Sequence, residues 1–297
     1  MNKEKWNIIK LINWSTEYFR EKNFSNPRTN TELLLCHTLN MKRLDLYLNY
    51  DRPLSEKELA LFKSLIKRRV KHEPIQYITN ETEFMGLRFK VNKNVFIPRP
   101  ETEILVEKII EVAKEKWNNL LKVSILEVGT GSGNIAVSLA HFLPNAEILS
   151  MDISKEALDI ARENSELNNT TFRTTFIEKS IFSLNKDSFR DVRILVSNPP
   201  YVSRTEFEAL EPEVRDFEPK IAYFEGGDGL SFYRKICSVA SSWISGDGCL
   251  FLEVGYGMQK KVIEIVEKNN LEIVNIFKDY NGIDRVVYAK NKNERIE

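Results

Sequence analysis

Asn198, Pro199, Pro200 and Tyr201 follow an apolar run, Ile194-Leu195-Val196, with Ser197 between. The run reads as a parallel strand buried on both faces. Two prolines end it, because neither has an N–H to give to a sheet ladder. An amide, two rigid carbonyls and an aromatic ring are thereby gathered at a strand's C-terminal end, the edge where open α/β sheets bind ligands. Such a group can accept hydrogen bonds from a planar amino group and offer it a flat face. A lone Asn-Pro-Pro would equally make a plain strand-ending turn, so the neighbouring motifs have to decide.

The second group is Gly129-Thr130-Gly131-Ser132-Gly133, preceded by Leu126-Glu127-Val128. A glycine-rich loop between a strand and a helix lets backbone approach a ligand closely and points helix N–H groups at it. Phosphate readings fit poorly. A Walker loop ends in Gly-Lys-Ser/Thr, where this chain has Gly133-Asn134-Ile135. A dinucleotide fingerprint would want its last glycine at Asn134. An acid followed by GxGxG suits a nucleoside that carries an amino-acid tail. Asp152, 23 positions after Gly129, closes the next predicted strand, where a carboxylate can accept both ribose hydroxyls. Glu127 either holds a cofactor's ammonium or orders the loop; both readings are open at this stage.

The chain has 297 residues, enough for about two domains. Lys plus Arg and Asp plus Glu are 43 each, a net charge of zero, which gives no general pull toward nucleic acid or anionic membrane. Three cysteines and three histidines are scattered without CxxC or HxxxH spacing, so no metal site is expected. Cys36-His37 reads as a core cysteine beside a partly exposed histidine, and few cysteines suit a reducing cytoplasm. The opening Met1-Asn2-Lys3-Glu4-Lys5 leads into no apolar signal core, and no run approaches a membrane span. The expected location is the cytoplasm.

Helical spacing covers 3–21, and further helices are expected over 32–39, 44–48 and, behind the capping box Ser55-Glu56-Lys57-Glu58, through about Arg69. This gives an N-terminal helical unit, 1–75, with a recognition or lid role because nothing in it looks catalytic. Its basic end, Lys67 to Lys71, reads as a solvated helix terminus or as a contact for an acidic or RNA-bound partner. Alternation over 82–96 predicts a β-hairpin, so that 76–97 is the linker between domains. Pro98-Arg99-Pro100 fixes an extended approach to a helix over 104–112. From 123 onward strands and helices alternate, and 273–277 and 285–289 close the chain as an antiparallel pair. The second domain, 98–297, is therefore α/β with a mostly parallel sheet. An acidic stretch from Glu206 to Glu218 reads as a solvated loop.

With both motifs in hand, the chain resembles the class I S-adenosylmethionine-dependent methyltransferases, of Rossmann-like fold. More narrowly it resembles the bacterial peptide chain release factor glutamine N5-methyltransferases. The resemblance runs from about Glu32 to Ala289 and rests on Pro74 to Ile78, Phe84-Met85-Gly86 and Ile97 to Glu103. It rests equally on Asn198 to Tyr201, Glu218-Pro219, Gly226 to Leu230 and Glu253-Val254-Gly255. It implies that Gly129, Thr130, Gly131, Ser132, Gly133 and Asp152 bind S-adenosyl-L-methionine. It implies that Asn198 touches both cofactor and substrate, and that Asn198, Pro199, Pro200 and Tyr201 hold a substrate glutamine. Ser180 stands where the family has an adenine-reading acid, and Ile181 where it has an apolar wall. Asn80 replaces a family glycine, and asparagine tolerates positive φ. The implied substrate is the glutamine of the Gly-Gly-Gln loop of class 1 release factors, with no stable nucleic acid binding and no membrane.

The chemistry asks for orientation, because an amide nitrogen's lone pair is delocalised into its carbonyl. Asn198 Oδ1 and the Pro199 carbonyl are the expected acceptors for the two N–H bonds, and Tyr201 the stacking partner. Adenine-N6 methyltransferases of DNA or RNA use similar Asn/Asp-Pro-Pro-aromatic motifs and are the alternative. Zero net charge and the acids after Tyr201 weigh against it.

Overall fold

The computed structural model describes residues 6–292. The chain divides into two compact units, Met1–Asn80 with Pro212–Phe217, and Glu81–Glu211 with Glu218–Glu297.

The first unit holds α1 (Ile8–Glu21), α2 (Pro27–Leu39), α3 (Arg43–Leu48), α4 (Glu56–Arg69) and α5 (Ile75–Thr79). The start of the expected first helix, residues 3–5, lies outside the described residues. Asn7 Oδ1 caps α1 by accepting the Lys10 N–H at 3.1 Å. The capping box at α4 forms as read: Glu58 N donates to Ser55 Oγ at 3.3 Å, and Ser55 N to Glu58 Oε2 at 2.7 Å. One core joins Ile8, Ile12, Phe19, Leu34, Leu35, Leu46, Phe62 and Ile78. The basic end of α4 is not a uniformly solvated terminus. Arg69 is buried, bonding Asn30 Oδ1, the Glu73 carbonyl and Glu213, with its guanidinium 4.6 Å over the Phe24 ring. A buried guanidinium needs all these acceptors, because unpaired it would carry the full desolvation penalty.

The second unit opens with a hairpin, β1 (Glu81–Phe84) and β2 (Leu87–Lys90), turning at Met85-Gly86 with positive φ at both residues. There follow α6 (Pro100–Trp117), β3 (Val123–Val128), α7 (Asn134–Phe142), β4 (Ala146–Asp152), α8 (Lys155–Leu167), β5 (Thr174–Glu178) and β6 (Val192–Ser197). Then come α9 (Arg204–Phe207), α10 (Pro212–Phe217, of the first unit), α11 (Ser231–Trp243), β7 (Ile244–Glu253), α12 (Gln259–Lys268), β8 (Leu271–Lys278) and β9 (Asp284–Asn291). The expected hairpin forms, although it belongs to this unit, and α6 begins four residues before the expected helix because Pro100 occupies its first turn.

The seven-stranded sheet runs β5-β4-β3-β6-β7-β9-β8, parallel from β5 to β7, with β9 antiparallel to both its neighbours. Both faces are covered. Ile125, Ile194, Val196 and Phe251 pack under α6 and α7, while Leu126, Leu195, Leu250 and Leu252 pack under α11 and α12. That two-sided burial is why these strands read as continuous apolar runs. The strand order reverses between β3 and β6, the switch point at which such sheets open a ligand crevice.

Candidate active site

Register alone assembles the site. Val128 lies beside Met151 on one side and Ser197 on the other, and Ser197 lies beside Leu252. The residues one step on, Asp152, Gly129, Asn198 and Glu253, therefore form a row across the C-terminal edge of four adjacent strands. The cofactor loop and the Asn-Pro-Pro-Tyr motif meet in that row: a Cβ on Gly129 would lie 3.8 Å from the Asn198 carbonyl oxygen.

The loop is held from beneath. Gly129 N and Thr130 N both donate to the Met151 carbonyl, at 2.8 and 3.1 Å, and Gly131 N donates to Asp152 Oδ2 at 2.9 Å. Asp152 Oδ1 accepts the Ser154 N–H at 3.0 Å, and Ser154 Oγ caps α8 by accepting the Ala157 N–H at 3.1 Å. One carboxylate thus ties the loop to the start of α8, with lone pairs left on each oxygen. Gly129, Gly131 and Gly133 all have positive φ, and a Cβ on Gly133 would meet Ala161 at 3.0 Å, so α7 can lie this close to α8 only with glycine there. Asn164 on α8 is fully buried. It accepts the Lys90 N–H of β2 and donates to the Lys90 and Ser132 carbonyls at 2.9 Å each. Sequence reading missed this residue; a lone asparagine in an amphipathic helix carries no signal of its own.

Glu127 is fully buried at the end of β3. Its Oε2 accepts from Ser150 Oγ, which shares a proton with Thr130 Oγ1, so the Thr130 hydroxyl is spent on the loop's underside. Its Oε1 has no partner. Burial, with the Asp152 charge adding to it, pushes this carboxyl up to about 8, and the Ser150 bond opposes the shift only partly. Of the two oxygens of Glu127, one orders the loop through Ser150 and the other is unpartnered. An orphaned buried carboxylate oxygen beside a glycine loop and a ribose-competent acid is the donor set a nucleoside with an ammonium tail requires.

The acceptor side is built on Asn198. Its Nδ2 donates to Thr102 Oγ1 at 3.1 Å, and Thr102 is buried in the first turn of α6. Glu253, the last residue of β7, is buried, and its Oε2 has no hydrogen-bond partner. Burial lifts its carboxyl to about 7; the polar side chains of Thr102 and Asn198 and the Arg285 charge hold it down, and Glu101 raises it. The amide nitrogen of Asn198 is thus turned into the protein.

Tyr201 is seated by glycines. A Cβ on Gly255 would lie 2.8 Å from its ring, and one on Gly229 only 2.3 Å from its carbonyl oxygen. Burial, and then the Glu253 charge, raise its hydroxyl above the ordinary tyrosine value. Val202 N donates to the Tyr223 carbonyl at 2.8 Å and Glu225 N to the Val202 carbonyl at 3.1 Å, strapping the 223–229 segment to the motif. Pro199 is buried and Pro200 half-buried. Ile181 is buried among Val128, Met151 and Leu184, while Phe182 beside it is half-exposed against Phe232. Ser180 Oγ accepts the Phe182 N–H at 3.2 Å.

In the acidic stretch after Tyr201, Glu206, Glu208, Glu211 and Asp216 are exposed, as expected of a solvated segment, while Glu213 and Glu218 are not. Glu206 caps α9 at Ser203, and Glu213 on α10 pairs with Arg69. Glu218 is buried, accepting the Ile97 N–H at 3.1 Å and pairing with Arg99, so it fixes the Pro-x-Pro approach to α6. No group of three or more His, Cys, Asp or Glu among the described residues is arranged to hold a metal ion, and no helix of the described residues is long and apolar enough to cross a membrane.

Residues 10–79 match the family model described as PrmC N-terminal domain, and residues 121–210 match a methyltransferase domain. A release factor glutamine methyltransferase of Geobacter sulfurreducens is 40% identical over 284 residues, 96% of this chain and 96% of that protein. The chain belongs to the release factor glutamine methyltransferase family. Another member, from Flavobacterium psychrophilum, is 42% identical over 248 residues, 83% of this chain and 86% of its own. A third, from Fusobacterium nucleatum, is 38% identical over 284 residues, 95% of this chain and 78% of its own. Membership spans both units, so the helical unit is part of the family's common architecture and the α/β unit is its methyltransferase domain.

Proposed function

We propose that the protein methylates the side-chain amide nitrogen, N5, of the glutamine in the Gly-Gly-Gln motif of class 1 translation termination release factors, in the cytoplasm, with S-adenosyl-L-methionine as methyl donor. Family membership over nearly the whole chain supports the reaction. The observation that carries the chemistry is the row Asp152, Gly129, Asn198 and Glu253, which sets an acceptor amide against a nucleoside loop.

In this reading Gly129 to Gly133 cradle the cofactor, Asp152 accepts the ribose hydroxyls, Ile181 backs the adenine and Glu127 Oε1 takes the ammonium. The bound cofactor supplies an electrophilic methyl on a sulfonium. Asn198 Oδ1 and the Pro199 carbonyl accept the two N–H bonds of the glutamine amide, holding the NH2 so that the nitrogen's lone pair faces the methyl. Pro199 and Pro200 give those acceptors little freedom to follow a mobile substrate. Fixed orientation of this kind is worth up to about 7–11 kcal/mol of a barrier. Tyr201 lies flat on the amide and faces the cation, at about 0.5–2 kcal/mol. No histidine stands in the four strands that form the row, and none is required, because the amide proton becomes acidic once the methyl arrives. The first unit, free of transfer residues, is the module that reads the release factor.

Incubating the protein with a purified release factor and labelled S-adenosylmethionine is expected to put one methyl on the Gly-Gly-Gln glutamine, located by mass spectrometry. A mark on adenine in DNA or RNA, with none on the release factor, would replace this reading. Asp152→Ala is expected to weaken cofactor binding by about 10–100-fold in calorimetry, because it removes both the ribose acceptor and the tie on Gly131 N. An unchanged affinity would remove Asp152 from the cofactor site.

A further inference from the structure

We infer that the β1–β2 hairpin is a strut between the two halves of the site, with Asn164 and Glu103 as the positioning residues that fasten it, a role that rests on the function proposed above. A two-stranded hairpin is marginal by itself and leaves its strand edges open. Here α8 covers the edge of β2. Asn164 and Asn168, four residues apart and so on one face of the helix, meet Arg88 and Lys90, two apart and so on one edge of the strand. Asn164 Oδ1 accepts the Lys90 N–H at 2.6 Å, and its Nδ2 donates to the Lys90 carbonyl at 2.9 Å. Asn168 Nδ2 donates to the Arg88 carbonyl at 2.9 Å.

Asn164 does more than continue a ladder. Its amide has two N–H groups, and the second donates to the Ser132 carbonyl at 2.9 Å. The Lys90 backbone fixes which end of the amide is which, so Ser132 always meets a donor. The peptide between Ser132 and Gly133 is planar, and its N–H donates to the Thr130 carbonyl at 2.9 Å. One peptide plane of the cofactor loop is thereby held at both ends, where Gly131 and Gly133, both of positive φ, would otherwise let it turn. At the turn of the hairpin the Met85 N–H donates to Glu103 Oε1 at 2.6 Å. Glu103 stands in the first turn of α6 beside Thr102, whose Oγ1 accepts from Asn198 Nδ2 at 3.1 Å. The hairpin thus reaches the cofactor loop through one side chain and the helix turn that holds Asn198 through another.

Packing alone calls for neither residue. Phe84 and Phe89 are buried in the core and hold the hairpin down. A leucine at 164 would fill the volume with no polar group to satisfy. Only an amide can join Lys90 to Ser132. A cofactor that orders the Gly129 to Gly133 loop also orders the partner of Asn164, so seating the hairpin costs less entropy once the cofactor is bound. By reciprocity the seated hairpin strengthens cofactor binding. It also holds Glu103, and with it the turn that carries Thr102, so the acceptor amide is set before the glutamine arrives.

The strut is tested on the full-length enzyme by amide hydrogen exchange with and without S-adenosylhomocysteine. In the unmodified enzyme this ligand should slow exchange across residues 81–90 several-fold. Asn164→Leu should abolish the slowing and weaken S-adenosylhomocysteine binding by about three- to tenfold. Asn168→Ala removes a bond to the hairpin but no link to the loop; its hairpin should exchange faster throughout and still be slowed by the ligand. In turnover, Glu103→Ala should lower kcat about tenfold with cofactor affinity within about threefold, and Glu103→Gln should recover most of the loss, since its Oε1 can accept the Met85 N–H. Added to Asn164→Leu, Glu103→Ala should cost less than it does alone, because the strut is already unfastened. Slowing that survives in Asn164→Leu, or kcat losses that multiply, would overturn the assignment. A protein that binds S-adenosylhomocysteine with no change in hairpin exchange would overturn this role alone, whereas one that does not bind it would overturn the proposed function as well.

Discussion

Asn198→Ala is expected to lower release factor methylation by at least about three orders of magnitude while S-adenosylmethionine still binds within about tenfold of its normal affinity. The asymmetry follows from where the atoms point. Asn198 Nδ2 is turned into the protein toward Thr102, and Oδ1 is left for the glutamine amide. Truncation removes the acceptor that orients the nucleophile, and alanine offers nothing in its place. The cofactor loop keeps its ties to Met151, Asp152 and Asn164, none of which passes through the Asn198 side chain. Losing the hydrogen bond to the buried Thr102 hydroxyl costs about 0.5–1.5 kcal/mol of stability as well. Thermal unfolding, calorimetry with cofactor and turnover on release factor together separate these effects. Complete loss of cofactor binding in a folded variant would make Asn198 chiefly a cofactor residue.

Much of this site is legible in the sequence because its parts are backbone devices. Gly129 to Gly133 can be read, since a loop of three positive-φ positions needs glycine. Asp152 and Asn198 can be read because they terminate apolar runs, and a strand's last residue points at the crevice. Glu253 has the same signature, a carboxylate ending Cys249-Leu250-Phe251-Leu252. Its place beside Asn198 nevertheless needs the register that sets β7 beside β6. No spacing in the sequence connects residues 102, 198 and 253. The acid-rich segment after Tyr201 fails in part for the same reason. Six carboxylates in a short span look solvated until Glu218 finds Ile97 and Arg99, and Glu213 finds Arg69. Charge runs are read by their average, whereas these acids are set by individual partners far along the chain.

Gly229→Ala is the substitution expected to damage the site most without touching a polar group in it. Gly229 has φ of 79°, in the left-handed region, where a side chain costs about 1–2 kcal/mol. An added Cβ would also stand 2.3 Å from the Tyr201 carbonyl oxygen and 3.1 Å from Met258 Cε. The methionine can move aside. The carbonyl cannot, because the next residue, Val202, bonds Tyr223 and Glu225 through its backbone, and the two prolines stiffen the motif on the other side. The strain is therefore passed to Asn198-Pro199-Pro200-Tyr201 itself. Displacing reacting groups by about 1 Å costs about a hundredfold in rate, and a loss of that size is expected in kcat. A stability loss of about 2–3 kcal/mol corresponds to a fall in Tm of about 4–12 °C at this chain length. Cofactor affinity should fall less than kcat, since the ties of the Gly129 to Gly133 loop to Met151, Asp152 and Asn164 do not pass through the motif. Gly246→Ala is the control: an added Cβ there meets nothing within 4 Å, and both kcat and Tm should stay as they are. A Gly229→Ala enzyme with unimpaired kcat would show that the Tyr201 backbone need not be held where it is, and with it would fall the claim that rigidity of the motif, rather than its composition, orients the glutamine.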